Sequence, residues 1–180
     1  MPYIDIGNEL PGIVGLLRFR PETGQRLSAL AETLLREPNT LSPGERELIA
    51  AYVSSLNDCK FCSASHSAFA AAQLPNGTDL VSAVCTDPEQ APVSAKMKAL
   101  LHIAGRVQQS GRSVTEADVA AARAAGASDV EIHDAVLIAA AFCMYNRYVD
   151  GLGTFAPDDS EGYASTAEVI VSHGYMAVLQ

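Results

Sequence analysis

Tryptophan is absent from this 180-residue chain, and aromatic residues make up only 6% of it. Strands draw on aromatic and β-branched side chains, so this scarcity, set beside abundant alanine, argues against a β-sandwich and for closely packed helices. No segment alternates apolar and polar residues in the manner of a half-buried strand. Basic runs are missing too: the formal net charge is -9 and the sequence pI about 4.8. Such an acidic surface repels a phosphate backbone, so no nucleic-acid partner is expected. The longest apolar run, Ala135 to Tyr145, is too short to span a bilayer and reads as a buried helix, with no membrane association. The opening MPYIDIGNEL has no basic region leading into an apolar core, so it does not read as a secretory signal. Four irregularly spaced cysteines do not make a disulfide framework in a chain of this kind. Together these absences lead to the expectation of a cytoplasmic protein.

What the chain does contain is ordinary for a globular domain, with 48% hydrophobic and 18% charged residues. Its length suits one domain with modest extensions and a substantial core. Residues 1–20 read as a lead-in broken by Pro11-Gly12, docking as a short helix or extended arm. A helix follows from Pro21, with Leu27, Leu30, Ala31, Leu34 and Leu35 at helical spacing and Pro38-Asn39 ending it. Ser42, Pro43 and Glu45 make a capping-box start for the next helix. Asn57-Asp58 interrupts it, and Asp58 is placed to cap a further helix running from near Cys59 to about Gln73. Residues 75–94 are the least regular, with a short helical piece near Leu80 to Cys85. A helix from Pro92 to about Gln109 follows. Thr115 with Asp118, and Ser128 with Glu131, repeat the capping device for a helix ending near Gly126 and for a long one over roughly 129–152. The middle of that long helix is apolar all round, which places it at the centre of the fold or at a subunit interface. A last helix starts at Pro157-Asp158-Asp159 and ends about His173. The fold class is all-α.

Chemistry concentrates in residues 41–74. Cys59, Cys62 and His66 are spaced by three and four residues, so a helix puts them on one face, with Phe69 and Gln73 continuing it. Cysteines three apart in a first helical turn have Cα atoms roughly 5–6 Å apart, within the reach of a disulfide. The positive end of the helix dipole there favours thiolate, which points to Cys59 as the more acidic thiol. His66 can exchange a proton with a sulfur one turn away. Glu47 belongs to the preceding helix. Beside Ala50, Ala51 and Ser54 it sits on a face small enough to let the cysteine helix approach and to bring its carboxylate to His66. Three bland readings compete. Half a zinc site would need partners, but Cys85, His102, His133, Cys143 and His173 lack paired spacing. The cysteines could be core filler, and Glu47 could be a solvated or ion-paired neighbour of Arg46. Haem attachment needs His directly after Cys62, where Ser63 stands. His133 reads as a capping or core histidine.

The segment ERELIAAYVSSLNDCKFCSASH resembles the core motif of the alkylhydroperoxidase D-like proteins, within the carboxymuconolactone decarboxylase superfamily. Glu47, Cys59, Cys62 and His66 match that motif position by position. The later AARAAGASDVEIHDAVLIAAAFCMYNRYVDGL is similar to the second half of the same domain, and the nearest look-alikes are its uncharacterised peroxidase-related enzymes. The resemblance covers about 42–74 and 115–154. It divides the chain into an N-terminal arm and helix over 1–40, a core domain over 41–154 with an insertion-like segment at 75–114, and a C-terminal helix and tail over 155–180.

The resemblance implies an alkylhydroperoxidase D-like helical fold that assembles as a homo-oligomer (dimer, trimer or hexamer). It implies a thiol peroxidase using neither haem nor metal, with a hydroperoxide as substrate and an external dithiol or protein reductant as partner. In that scheme Cys62 attacks, Cys59 resolves, and His66 with Glu47 relays the proton. Helix electrostatics and the family thus differ over which sulfur is activated. Lactone decarboxylases of the superfamily lack the cysteine pair. Lys60 between the cysteines could stabilise a thiolate or point to solvent. Two other functions fit the same residues: a general disulfide reductase or thiol oxidoreductase, and a non-catalytic redox-sensing module.

Overall fold

The computed structural model describes residues 2–179, and these contain nine α-helices, two short 3-10 helices and no strand. The all-α expectation holds. In chain order the helices are α1 (Gly12–Phe19), α2 (Pro21–Leu35), α3 (Pro43–Leu56), α4 (Lys60–Ala71), α5 (Gly77–Thr86), α6 (Ala95–Gln109), α7 (Glu116–Ala124), α8 (Asp129–Gly151) and α9 (Ser160–His173). No helix among the described residues is long and apolar enough to cross a membrane.

Capping chemistry sets most of the helix starts. Ser42–Glu45, Thr115–Asp118 and Ser128–Glu131 each form a complete capping box, satisfying backbone N–H groups that a helix start leaves without partners. Ser94 caps α6 through the Met97 N–H, so that helix begins after Val93 rather than at Pro92. Asp159 caps α9. The reading of Asp58 as a cap does not hold. Asp58 adopts φ 55, a left-handed conformation that Asp tolerates, and the N-cap of α4 is Cys59, in extended backbone. Asn57 and Asp58 therefore form a tight reversal between α3 and α4, an antiparallel helical hairpin. The piece near Leu80 is also longer than read, a ten-residue helix.

Helix α3 is the axis of the fold. Ten of its 14 residues are buried, and it packs on α4, α6 and α8. The small side chains of Ala50, Ala51 and Ser54, each fully buried, let α4 lie close against it. Leu100, Leu101 and Ile103 from α6 and Ile138 from α8 are fully excluded from solvent; each contributes about 1.5–3 kcal/mol relative to an exposed side chain. Helix α8 is not buried all round: Ala135, Ile138, Ala139 and Phe142 face the core, whereas Val130, Leu137 and Met144 face outward. Two terminal pieces close the side of the α3–α4 hairpin. Helix α1 comes against Phe61, where Gly12 at φ 52 leaves no room for a Cβ. The C-terminal 3-10 helix, Tyr175–Leu179, packs on α2 and α9.

Candidate active site

Cys62 occupies the third position of α4, within the turn whose backbone N–H groups carry the helix's positive end. Cys59, one turn earlier, is the residue before the helix. Both are buried, unlinked thiols. Their acidities move in opposite directions. A hydrogen bond from Cys59 lowers the Cys62 pKa, opposed by burial and helped by the charge of His66 and a hydrogen bond from Asn146. For Cys59 the shift is upward, caused first by its hydrogen bond to Cys62, then by burial, with a further upward contribution from its hydrogen bond to Asp150. The two sulfurs thus share one proton, held by Cys59 and donated to Cys62. This reverses the helix-start expectation, because the hydrogen bond between the two sulfurs leaves the proton on Cys59.

His66 and Glu47 meet as the spacing predicted. His66 Nδ1 lies 2.7 Å from Glu47 Oε2, and Glu47 is only 1% exposed. Arg46 does not pair with Glu47. It turns the other way and donates to the carbonyls of Leu34 and Glu37, at 3.0 Å each, closing the end of α2. The imidazole is held edge-on by Phe142 and Phe69, with ring centroids at 4.5 and 5.2 Å. With Nδ1 committed to the carboxylate, Nε2 is the ring nitrogen left for proton exchange.

Three contributors had no clear signal in the sequence. Tyr175, far along the chain, donates its hydroxyl to Glu47 Oε1. Asn146 on α8 accepts from Asn57 Nδ2 at 2.8 Å and donates to Ser54 Oγ at 3.1 Å, while Gln108 Nε2 donates to Asn57 Oδ1 at 3.0 Å. This chain of amides fixes Asn146 as a donor, and its other N–H serves Cys62. A polar residue directly after the apolar AFCMY run was the one available hint. Asp150, a turn further on, faces Cys59. Other residues lie elsewhere. Lys60 pairs with Asp158 at the surface instead of a thiolate. His133 is exposed and bonds Asp134, so it is neither cap nor core. Among the described residues no group of three His, Cys, Asp or Glu side chains is arranged to hold a metal ion.

Cys62 and His66 open onto a cavity of about 80 Å³ walled by apolar side chains, among them Leu17, Leu27, Phe61, Phe69, Phe142 and Ile170. It lies between α4, α8 and the terminal helices, and its volume admits a few water-sized groups.

A profile of the carboxymuconolactone decarboxylase family matches residues 21–74, which span α2, α3 and α4 and contain all four motif residues. Two crystal structures share the architecture. An uncharacterized peroxidase-related protein from Silicibacter sp. TM1040 is 27% identical with a TM-score of 0.76, over 86% of this chain and 78% of that one. An alkylhydroperoxidase AhpD core, described as an uncharacterized peroxidase-related protein, from Ralstonia eutropha JMP134 is 26% identical with a TM-score of 0.77, over 89% and 82%. The family match over residues 21–74 and both structures support a likeness to the carboxymuconolactone decarboxylase superfamily. The chain's helices adopt the alkylhydroperoxidase D-like arrangement. No curated protein gives a significant match.

Proposed function

We propose that the protein is a thiol-dependent peroxidase that reduces hydroperoxides through a Cys59–Cys62 redox disulfide. The observation that carries this reading is the asymmetry of the cysteines: one sulfur is biased toward thiolate, and its neighbour keeps a proton within reach. Thiolate is the nucleophilic form, and a thiol held beside the sulfur that becomes oxidised is what a resolving cysteine requires. The peroxidase-related names of both structural relatives point the same way.

In the first step the Cys62 thiolate attacks one peroxide oxygen. An S–O bond forms, the O–O bond breaks, and the alkoxide leaves with a proton supplied by His66, whose charge Glu47 compensates. Cys62 is then a sulfenic acid. Cys59 loses its proton, to Asp150 or to water, and attacks the Cys62 sulfur. A disulfide forms and hydroxide leaves, protonated to water. An external dithiol returns both thiols by exchange and is itself oxidised. No haem or metal has a part in this scheme. It belongs to a cytoplasmic homo-oligomer supplied with reduced dithiol by a small molecule or a protein. Neither nucleic acid nor membrane takes part.

The direct test is Cys62→Ser with an organic hydroperoxide. Turnover is expected to vanish, and retained activity sinks the assignment. Titrating free thiols before and after one equivalent of hydroperoxide should show a loss of two per chain. A faster steady state on a model disulfide than on hydroperoxide would make the protein a disulfide reductase instead. A reversible disulfide without turnover would make it a redox sensor.

A further inference from the structure

The C-terminal 3-10 helix carries a side chain that reaches the proton relay from outside the four-residue motif. The Tyr175 hydroxyl donates to Glu47 Oε1, and the hydroxyl oxygen itself lies 3.4 Å from His66 Nδ1. Its ring stacks on the imidazole at 18° with centroids 6.3 Å apart. Its backbone is pinned separately: the Tyr175 N–H donates to Glu32 Oε2 on α2 at 2.6 Å. The preceding Gly174, at φ 78, turns the chain where a Cβ would come within 2.4 Å of that same carboxylate oxygen. Tyr175 is therefore held from both its backbone and its hydroxyl, which a side chain serving only as core filler does not need.

We infer that Tyr175 is a positioning residue of the active site: it holds the buried Glu47 carboxylate turned toward His66. This rests on the reading of Glu47 and His66 as the proton relay. A buried carboxylate persists as a charge only when its oxygens are paired. Here each oxygen has one donor, His66 Nδ1 on Oε2 and Tyr175 on Oε1. Burial and the neighbouring carboxylate keep the phenol protonated, pushing its pKa well above the ordinary value. Tyr175 is thus a permanent donor, whereas the His66 proton moves during turnover. The other charged groups facing this cluster are Glu32 and Arg36 on α2, while Arg46 on α3 points away to the Leu34 and Glu37 carbonyls. Helix α8 contributes Tyr145, whose hydroxyl is spent on the Leu27 carbonyl. None of these supplies a second hydrogen bond to Glu47.

Removing the hydroxyl leaves Glu47 Oε1 buried without a donor, so the carboxylate is no longer held in place against the imidazolium. The Cys62 thiolate, which the imidazolium charge favours, then forms at higher pH. The test measures the pH profile of Cys62 alkylation by iodoacetamide in reduced protein, where no peroxide is needed. In Tyr175→Phe the acid limb should move up by about one pH unit, the scale of one charge-assisted hydrogen bond. In a Glu47→Gln background the same change should shift the limb no further. Glu32→Ala, which frees the Tyr175 backbone but not its hydroxyl, should shift it the same way by less, and serves if Tyr175→Phe folds poorly. An unmoved limb, or an equal shift without Glu47, overturns the inference. Failure of the wild type to turn over hydroperoxide would strike the peroxidase reading and leave this alkylation result standing.

Discussion

Glu47 Oε2 and His66 Nδ1 lie 2.7 Å apart although 19 positions separate the residues in the chain. The contact exists because α3 and α4 fold back on each other about Asn57 and Asp58, with alanine and serine between them. Everything proposed for the site depends on this pair being close, buried and oriented.

The relay predicts a strong effect from Glu47→Gln. The amide keeps the shape of the side chain but cannot balance the imidazolium. Hydroperoxide kcat/KM should fall by roughly 100-fold, the lower range for a lost acid–base component. The far-ultraviolet circular dichroism should remain helical. Wild-type kinetics in this variant would show that His66 works alone.

The cysteines should differ in reactivity in the direction of their shifts. Below the ordinary thiol range of about 8.5, Cys62 keeps thiolate character while Cys59 stays protonated. Limited alkylation near pH 7, followed by peptide mass mapping, should label Cys62 well before Cys59. Preferential labelling of Cys59 would invert the proposed roles.

A separate prediction concerns stability. Burial disfavours the charge of Glu131, but Lys96 Nζ at 2.7 Å and the Ser128 cap more than offset it. The result holds this carboxyl at about 2, against an ordinary 4.5. The folded pKa lies below the unfolded one, so the stabilisation is complete above about 4.5 and is lost as pH falls toward 2. Glu131→Gln should cost about 2 kcal/mol at pH 7, allowing for solvent screening. Urea unfolding of both proteins at pH 7 and pH 3 should show the gap narrowing on the acid side.

Self-association is expected along α8. Val130, Leu137 and Met144 are 61%, 38% and 43% exposed, and their spacing of seven places them on one stripe of a 23-residue helix. Leu137→Glu should shift light-scattering mass toward monomer while leaving the helical signal intact. An unchanged mass would exclude this stripe as the interface.

The legible parts of the protein were the local ones. Capping boxes at Ser42, Thr115 and Ser128 were readable because cap and partner lie three residues apart, and the three-then-four spacing of Cys59, Cys62 and His66 declared one helical face. Asp58 misled because a capping residue and a left-handed turn residue have the same composition. Which it becomes depends on how tightly α3 and α4 reverse. That choice also settled the cysteines. With Cys59 as the N-cap of α4 and Cys62 in its first turn, the hydrogen bond between the sulfurs lowers Cys62 and raises Cys59, the opposite of what the spacing alone favoured.

The sequence by itself determined the helices, the shared face of Cys59, Cys62 and His66, and the small-residue surface of α3 that lets Glu47 approach. These follow from interactions within a few residues, or within two helices joined by a two-residue turn. Only the tertiary structure decided which sulfur is acidic and what holds Glu47. Asn146 and Tyr175 arrive 84 and 109 residues after Cys62 and His66 respectively, and no local period marks such partners. They matter because a buried charge must be paired by whatever donor the packed chain delivers.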